Sequence, residues 1–359
     1  MTSSPTAPVP RPGILDIAPY VGGRSSAPGV NRIFKLSSNE SPIGPSPKAL
    51  EAFHSTAEKL FAYPDGSSAH LKAAIAEVHG LKPEQILTAN SSDEILHLIA
   101  LTYCSPGDEV LMSDHGFVAY PIVARAAGAT PVKAAEVCLT ANVDNLLRAV
   151  TPRTKVIFLA NPNNPTGSYL PEAEVRRLHA GLPRHVLLVL DAAYAEYVRL
   201  PDYASGLELA HEFSNIVTTR TFSKIYALAG LRIGWMTGSA EILDAINRIR
   251  GPFNVSIPSQ YAGAAAMRDR AHVEKSYQHN TRWLPWLTER IRGMGLIVHP
   301  SIANFILIEF PASGAHTAAK ADDFLMARGL ILRGVGAYGL PQCLRLSVGT
   351  EEANHLVVE

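Results

Sequence analysis

Short apolar runs recur along the first two thirds of the chain, and each is bounded by polar or turn-forming residues. The clearest of them lie at residues 109–112, 155–160 and 186–190. A continuous apolar run of about four to eight residues is typical of a strand that is buried on both faces, as in a parallel sheet. Because segments with helical periodicity alternate with these runs to about residue 250, the pattern predicts a parallel sheet with helices on both faces.

Longer segments with helical periodicity lie at residues 45–80, 93–103 and 262–292, and strand-like runs follow at 305–309 and 344–348. A single hydrophobic core stops growing well below a length of 359 residues, so we expect a large domain and a smaller one. The change from alternating strands and helices to a long helical stretch with short strands indicates that the smaller domain contains the C-terminal part. The N-terminal segment is expected to join it.

Composition limits the possible partners. The chain carries 32 lysine and arginine residues and 32 aspartate and glutamate residues, so its formal net charge is zero, which argues against a nucleic-acid or anionic-membrane partner. The cysteines, Cys104, Cys138 and Cys343, lack the paired spacing of zinc ligands and are expected to be reduced and buried. Residues 1–10 lack the features of a signal peptide and no run is long enough to span a membrane, so we expect a cytoplasmic protein with a flexible N-terminal arm.

The segment 221–224 has the sequence Thr-Phe-Ser-Lys, and Arg232 follows eight residues after Lys224. It combines an amine nucleophile with hydroxyl groups and a guanidinium. Pyridoxal phosphate requires this combination, because a lysine holds its aldehyde as a Schiff base and its phosphate needs hydroxyls and a forked, charge-assisted contact. A lone Ser-Lys pair is more often part of a solvated loop, so the interpretation depends on two further motifs.

Residues 161–167, Asn-Pro-Asn-Asn-Pro-Thr-Gly, directly follow the apolar run at 155–160. In open α/β sheets, ligands bind beyond the carboxyl ends of the strands. We therefore interpret Asn164 as a donor to the phenolic oxygen of the cofactor, although an ordinary Asn-Pro turn is the simpler alternative.

Residues 191–194, Asp-Ala-Ala-Tyr, directly follow the apolar run at 186–190. A carboxylate beside the pyridine nitrogen keeps that nitrogen protonated, and the protonated ring then withdraws electrons from the substrate Cα. Asp191 is the candidate for this role, and the Tyr194 hydroxyl is a candidate for the phenolic oxygen. An N-cap role for Asp191 is the simpler alternative.

Together these motifs resemble the fold type I aminotransferases. Further segments resemble the histidinol-phosphate aminotransferase family in particular: 17–20 (Ile-Ala-Pro-Tyr), 35–42 (Lys-Leu-Ser-Ser-Asn-Glu-Ser-Pro), 63–67 (Tyr-Pro-Asp-Gly-Ser), 92–94 (Ser-Asp-Glu) and 343–350 (Cys-Leu-Arg-Leu-Ser-Val-Gly-Thr). The resemblance covers essentially the whole chain. It implies an α/β fold, with a large domain built on a mostly parallel seven-stranded sheet flanked by helices and a smaller α+β C-terminal domain. The expected boundaries are 1–44 for an N-terminal arm packing on the small domain and the partner subunit, 45–260 for the cofactor domain and 261–359 for the small domain.

The resemblance also implies roles for individual residues. Lys224 would be the Schiff-base lysine and would move the proton of the substrate Cα, while Asp191, Tyr194 and Asn164 would hold the cofactor ring. Phe117 would lie against the ring where many relatives have tyrosine. The phosphate would bind among the remaining cofactor residues: Ser92, Asp93, Thr221, Ser223, Arg232 and, from the neighbouring subunit, Tyr63. The last contact implies a homodimer with shared active sites.

Ser92 opens a pattern with helical periodicity, so the free N–H groups of a helix starting there would point at the phosphate. The acidic pair Asp93 and Glu94 is unexpected beside an anion, and we expect these carboxylates to cap the first turn or face away. Ser91 stands where relatives commonly have glycine, so a positive φ at this position would strain the serine.

For the substrate, the resemblance implies that Arg345 binds a carboxylate or phosphate as a fork, and that Arg333 and Tyr20 are further candidates for the phosphate of the substrate. Asn164 is also expected to contact the substrate. The implied reaction is ping-pong transamination between L-histidinol phosphate and 2-oxoglutarate in histidine biosynthesis, without a metal. The motifs equally fit an aromatic amino acid aminotransferase and, less well, a threonine-phosphate decarboxylase. A regulator that binds pyridoxal phosphate without turnover is disfavoured, because only a short Pro-rich arm precedes the motifs where such proteins carry a DNA-binding module.

One motif is typical of a different class of protein. Residues 334–339, Gly-Val-Gly-Ala-Tyr-Gly, have the spacing of a dinucleotide-binding glycine loop. That loop must open a helix and be followed about 20 residues later by an acidic residue, whereas Pro341 follows almost at once and another strand-like run comes next. The context therefore disfavours an NAD-dependent oxidoreductase.

Overall fold

A computed structural model describes residues 7–359 of the chain. The first six residues of the expected N-terminal arm lie outside this range. The strands are β1 Phe34–Lys35, β2 Ile86–Asn90, β3 Glu109–Ser113, β4 Thr130–Ala134, β5 Thr154–Ala160, β6 Leu187–Asp191, β7 Ile216–Thr221, β8 Ile233–Thr237, β9 Ile297–His299, β10 Phe305–Glu309, β11 Leu330–Ile331, β12 Arg333–Gly334 and β13 Cys343–Ser347.

The α-helices alternate with these strands in the first part of the chain and become longer afterwards. They are α1 Pro47–His54, α2 Ala69–His79, α3 Ser91–Tyr103, α4 Ala119–Ala126, α5 Val143–Ala149, α6 Glu172–Gly181, α7 Leu207–Glu212, α8 Ala240–Ile249, α9 Ile257–Arg268, α10 Arg270–Gly293, α11 Ala318–Met326 and α12 Glu351–Val358. Among residues 7–359, no helix is both long and apolar enough to cross a membrane.

The main sheet has seven strands in the order β2-β8-β7-β6-β5-β3-β4. Strand β8 is antiparallel to β2 and β7, and all other pairs are parallel. Alternate side chains of one strand enter different cores: Val156 and Phe158 pack with α3, α4 and α8, whereas Ile157 and Leu159 pack with α5, α6 and α7. The mostly parallel sheet with helices on both faces, predicted from the apolar runs and the family resemblance, is confirmed.

A second, smaller sheet has the order β12-β13-β10-β9 and is antiparallel throughout. Its apolar face packs on α10, α11 and α12 through Trp283, Leu287, Ala318 and Ala353. Strand β1 of the N-terminal segment pairs with β11 of the C-terminal part. The smaller α+β unit is therefore present, and the N-terminal segment contacts it. The exact domain boundaries stay a prediction.

The five strands predicted from apolar runs are confirmed to within one residue at each end. Two predicted helices were wrong in extent. The segment 45–80 is interrupted between α1 and α2, where the Asp65 carboxylate accepts hydrogen bonds from the backbone N–H groups of Ser67 and Ala69. The segment 262–292 is split at Asp269, whose carboxylate accepts a hydrogen bond from the Ser46 hydroxyl. Asp65 competes with the helix for local hydrogen bonds, whereas Asp269 contacts a segment that is distant in sequence.

The cysteines only partly follow the prediction. Cys104 and Cys343 are buried free thiols, as expected, but Cys138 is free and exposed, so the prediction of burial was wrong there. Cys138 lies in the turn after β4 with a left-handed φ of 49°. Turns at the edge of a sheet run over the surface and do not contact the core, so a cysteine there stays exposed although its side chain is apolar.

Candidate active site

A cavity of about 420 Å³ lies beyond the carboxyl ends of β5, β6 and β7, between the main sheet, the small sheet and the N-terminal segment. The topology explains its position, because the loops that follow parallel strands open at the same edge of the sheet. The cavity brings together nearly all the residues predicted for the site: Tyr20, Ser92, Asp93, Phe117, Asn164, Asp191, Tyr194, Thr221, Ser223, Lys224, Arg232, Arg333 and Arg345.

Lys224 lies three residues after the end of β7 and projects its amine into this cavity. Its Nζ donates a hydrogen bond to the carbonyl oxygen of Ser38 at 3.0 Å. Burial, and then the positive charge of Arg345, lower the pKa of Lys224 to about 8. A lysine with such a pKa is partly unprotonated near neutral pH, and the neutral amine is the nucleophilic form.

Asp191 is the last residue of β6 and is held by two hydroxyl groups. The Tyr120 hydroxyl donates to Oδ2 at 2.8 Å, and the Thr219 hydroxyl donates to Oδ1 at 3.1 Å. Burial raises the pKa of Asp191 to about 6, although both hydrogen bonds act in the opposite direction. The carboxylate is therefore ionised at neutral pH, and it is positioned to accept a cationic N–H group from the cavity.

Tyr120 was not predicted as a site residue. It is fully buried on α4, three residues after Phe117, and its ring stacks on Phe158 with centroids 5.0 Å apart. A buried tyrosine hydroxyl almost always has a hydrogen-bond partner, so the apolar pattern around it indicated that a partner exists. Identifying Asp191 as that partner required the strand order.

An anion-binding cradle lines another wall of the cavity. The hydroxyls of Thr221 and Ser223 lie 3.0 Å apart, and the first turn of α3 starts beside them. Arg232 donates to the Asp93 carboxylate at 2.8 Å, while the Glu94 carboxylate accepts from the backbone N–H of Asn90. Glu94 thus caps the helix as expected, whereas Asp93 orients Arg232 instead of capping or facing away. Hydroxyls, helix N–H groups and a guanidinium form a set that fits a phosphate group.

The start of α3 is conformationally unusual. Ser91 has a φ of 72°, so the expected strain at this position is present. The strand β8 passes very close: a Cβ added to Gly234 would lie 2.3 Å from the backbone N of Ser92 and 2.4 Å from the carbonyl carbon of Ser91. Glycine at position 234 thus allows the backbone of β8 to support the first turn of the helix.

Gly234→Ala is expected to displace the first turn of α3, because the backbone atoms of Ser91 and Ser92 leave no room for a methyl group. Overpacking of this kind typically lowers the free energy of unfolding by about 1–3 kcal/mol, and we also expect weaker phosphate binding at the cradle. Chemical denaturation and phosphate titration of the purified chain measure both effects. Gly293→Ala is the matched control, since its added Cβ has no atom within 4 Å; equal effects of the two variants would contradict the account.

Arg345 on β13 is buried and has no carboxylate within salt-bridge distance in residues 7–359. It donates instead to Asn164 Oδ1 and to the carbonyl oxygen of Ser37, and its Nε has no partner. Burying an unpaired cation is costly, so the cavity fits an anionic ligand at this place. Arg333 and Tyr20 lie nearer the mouth, where Arg333 donates to the carbonyl oxygen of Val21 at 2.7 Å.

Asn39 is a second residue to which the sequence assigned no role. It is buried with a left-handed φ of 57°, and its Nδ2 donates to the Tyr194 hydroxyl oxygen at 2.9 Å. The accepted hydrogen bond leaves the proton of the Tyr194 hydroxyl free to point into the cavity. Asn39 belongs to the segment 35–42 that carried part of the family resemblance, which was the available signal.

Tyr63 does not line the cavity of its own chain. It is 82% exposed and stacks on Phe253 with ring centroids 4.8 Å apart. The neighbouring Leu60 and Phe61 are also exposed. Among the predicted site residues, all of which lie within residues 7–359, Tyr63 alone does not line the cavity. It is the residue that was assigned to the site of the partner subunit.

Comparison with known proteins identifies the family. The family described as "Aminotransferase class I and II" matches residues 31–359. The chain belongs to this aminotransferase family. Its segment 334–339, which has the spacing of a dinucleotide loop, forms the end of β12 and a short 3-10 helix instead of opening an α-helix.

The aminotransferase is similar to histidinol-phosphate aminotransferases along nearly its whole length. A relative from Rhodopseudomonas palustris (strain HaA2) is 56% identical, with 98% of this chain and 96% of the relative covered. One from Nitrobacter hamburgensis is 55% identical, with 98% and 97% covered. Among solved structures, histidinol-phosphate aminotransferase from Sinorhizobium meliloti in complex with pyridoxal-5'-phosphate has a TM-score of 0.87 and 27% identity, covering 100% of this chain and 97% of that one.

Proposed function

We propose that this chain is a pyridoxal-phosphate-dependent histidinol-phosphate transaminase. It converts L-histidinol phosphate and 2-oxoglutarate into imidazole acetol phosphate and L-glutamate, a step of histidine biosynthesis, and we infer that it acts in the cytoplasm. The observation that carries the proposal is the 55–56% identity over nearly the whole chain to relatives with this name. The same similarity does not favour the aromatic aminotransferase or decarboxylase alternatives.

The residues of the cavity fit the cofactor. The cradle of Ser92, Thr221, Ser223 and Arg232 takes the phosphate, together with the N–H groups at the start of α3. Asp191 takes the protonated pyridine nitrogen, and a side chain pre-ordered by two hydroxyl donors loses little freedom on binding. When bound, pyridoxal phosphate supplies an electron sink for the substrate Cα.

Lys224 performs the proton chemistry. Its Nζ would hold the cofactor through the aldehyde, and the free amine would remove the Cα proton of the substrate as a base and return it as an acid. Its lowered pKa of about 8 suits both directions of transfer near neutral pH. Tyr194 and Asn164 would hold the phenolic oxygen, and Phe117 would lie against the ring.

Both substrates are anionic, and the cationic part of the cavity serves both halves of the ping-pong cycle. Arg345 binds the phosphate of histidinol phosphate in one half-reaction and the α-carboxylate of glutamate in the other. Arg333 and Tyr20 at the mouth add contacts to the larger phosphate group. The buried, unpaired state of Arg345 supports this role, because an anionic ligand relieves the cost of its burial.

We further propose that the enzyme is a homodimer in which Tyr63 completes the phosphate site of the partner subunit. The exposed apolar patch around Tyr63, formed with Leu60, Phe61 and Phe253, supports a protein contact there. Tyr63→Phe is expected to weaken cofactor retention by about tenfold or somewhat more, the lower end of the usual effect of one hydrogen bond to a charged group.

Subunit mixing tests the shared site. A heterodimer of Lys224→Ala and Tyr63→Ala chains contains one site with both defects and one with neither, so it should regain up to about half of the activity of the unmodified dimer. A mixture of Lys224→Ala and Asp191→Ala chains is the control and should regain none, because these two residues belong to one chain's cavity. The assay uses a cofactor concentration at which the Tyr63→Ala homodimer is largely unloaded. If the first mixture is then no more active than its parent homodimers, the shared site is wrong.

The reaction itself is tested by product analysis. Incubation of the cofactor-loaded enzyme with L-histidinol phosphate and 2-oxoglutarate should give imidazole acetol phosphate and glutamate in equal amounts. Incubation with phosphorylated threonine should give no carbon dioxide. Carbon dioxide release without a keto product would identify a decarboxylase and contradict the proposal.

A further inference from the structure

Three carboxylates line the cavity, and two of them have partners or a proposed role within residues 7–359. Asp191 receives the Tyr120 and Thr219 hydroxyls and faces the cofactor site, and Asp93 is paired with Arg232. The third carboxylate belongs to Glu40, which neither the family motifs nor the proposed reaction has given a role. An acidic side chain in a cavity for anionic substrates requires an explanation, because like charges repel.

The backbone around Glu40 is fixed. The carbonyl of Ser38 accepts the hydrogen bond from Lys224, and the backbone N–H of Asn39 donates to the Ser347 hydroxyl at 2.9 Å. The carbonyl of Asn39 accepts a hydrogen bond from Asn304 at 3.0 Å. Glu40 follows directly, so its side chain starts from a rigid point beside the reactive amine.

Only one oxygen of the Glu40 carboxylate has a hydrogen-bond donor within residues 7–359. Oε1 accepts a hydrogen bond from Lys35 Nζ at 2.6 Å, whereas Oε2 has no donor among residues 7–359. The side chain is 39% exposed and lines the cavity. The ion pair with Lys35 offsets part of the negative charge, and so a dicarboxylate such as glutamate can still enter.

This inference rests on the proposed function. Histidinol phosphate carries, besides its amine and phosphate, an imidazole ring whose N–H group is a hydrogen-bond donor in every protonation state of the ring. The guanidinium groups of Arg333 and Arg345 can only donate, so they suit the phosphate and not the ring N–H. We propose that Glu40 is a specificity-determining residue, and that its free Oε2 accepts the hydrogen bond from the imidazole of the substrate.

Glu40→Gln tests the proposal in single half-reactions of the cofactor-loaded enzyme. Three amino donors are compared: L-histidinol phosphate, L-phenylalaninol phosphate and L-glutamate. The second has a phenyl ring in place of the imidazole and keeps the phosphate and the amine. Loss of the charged acceptor should lower kcat/KM for histidinol phosphate at least tenfold, which corresponds to about 1.4 kcal/mol. It should not lower kcat/KM for the other two donors, because the cavity then repels their anionic groups less.

The other outcomes are distinct. An equal loss for all three donors would mean that Glu40 acts through Lys224 or the fold, and an unchanged value for histidinol phosphate would mean that it does not contact the imidazole; either result overturns the inference. If the unmodified enzyme does not turn over histidinol phosphate, the proposed function itself fails. Glu77→Gln is the matched control, because it removes the carboxylate from an exposed ion pair with Arg268 outside the cavity and should leave all three values unchanged.

Discussion

Lys224→Ala is expected to abolish transamination, with a loss of roughly ten-thousand-fold or more. The variant removes both the nucleophile for the cofactor aldehyde and the amine proposed to move the substrate proton, and acid–base catalysis alone commonly contributes about 10²–10⁴-fold. Steady-state turnover of histidinol phosphate measures this loss. Near-normal turnover would show that the lysine has been assigned wrongly.

The fold of this variant should be intact. Because burial lowers the pKa of Lys224 to about 8, the folded chain disfavours the ammonium form relative to the unfolded chain. The lysine therefore costs stability below pH 8, and that cost disappears as the pH rises toward its ordinary pKa. Lys224→Ala should accordingly not lower the free energy of unfolding of the apoenzyme at pH 7. Lys82→Ala, at an exposed position, controls for the change in charge.

Asp191→Ala is expected to lose several orders of magnitude in rate. Without this carboxylate the pyridine nitrogen loses the anionic partner at the end of β6, and the neighbouring Asp93 is already paired with Arg232. A nitrogen without such a partner is less basic, and the ring withdraws electrons from the substrate less effectively. Single-turnover rates with saturating histidinol phosphate measure the effect separately from cofactor loss.

A loss below about tenfold would contradict the role of Asp191. Asp144→Ala is the control, because this carboxylate is exposed and pairs with Arg177 on the surface.

The pKa of about 6 for Asp191 also predicts a pH dependence of the free energy of unfolding of the apoenzyme. Folded-state protonation at Asp191 begins at a higher pH than in the unfolded chain, so its ionised form costs stability above pH 6 and this cost is relieved as the pH falls.

The sequence predicted the parts of the site that depend on local order along the chain. The apolar runs located β5 and β6, and the motifs directly after them placed Asn164 and Asp191 at one edge of the sheet. The rule that parallel strands share this edge was sufficient to bring them near Lys224. Family resemblance added the residues of the phosphate cradle.

Other contacts could not be predicted because they join distant segments. Tyr120 and Asp191 are 71 residues apart, and their contact follows from the position of α4 over the sheet. The hydrogen bonds of Arg345 to Asn164 and Ser37 depend on how the small sheet closes over the large one. The extents of two helices were predicted wrongly for different reasons. Asp65 accepts hydrogen bonds from backbone N–H groups two and four residues later. Asp269 accepts a hydrogen bond from Ser46, which is 223 residues away in sequence.

The most direct test of the central claim is kcat/KM for L-histidinol phosphate against that for L-phenylalanine, both with 2-oxoglutarate, on the purified cofactor-loaded enzyme. The proposed function predicts a preference of at least a hundredfold for the phosphate ester, or about 2.7 kcal/mol of differential transition-state binding. An equal or reversed preference would contradict it and would identify an aromatic or broad-specificity aminotransferase.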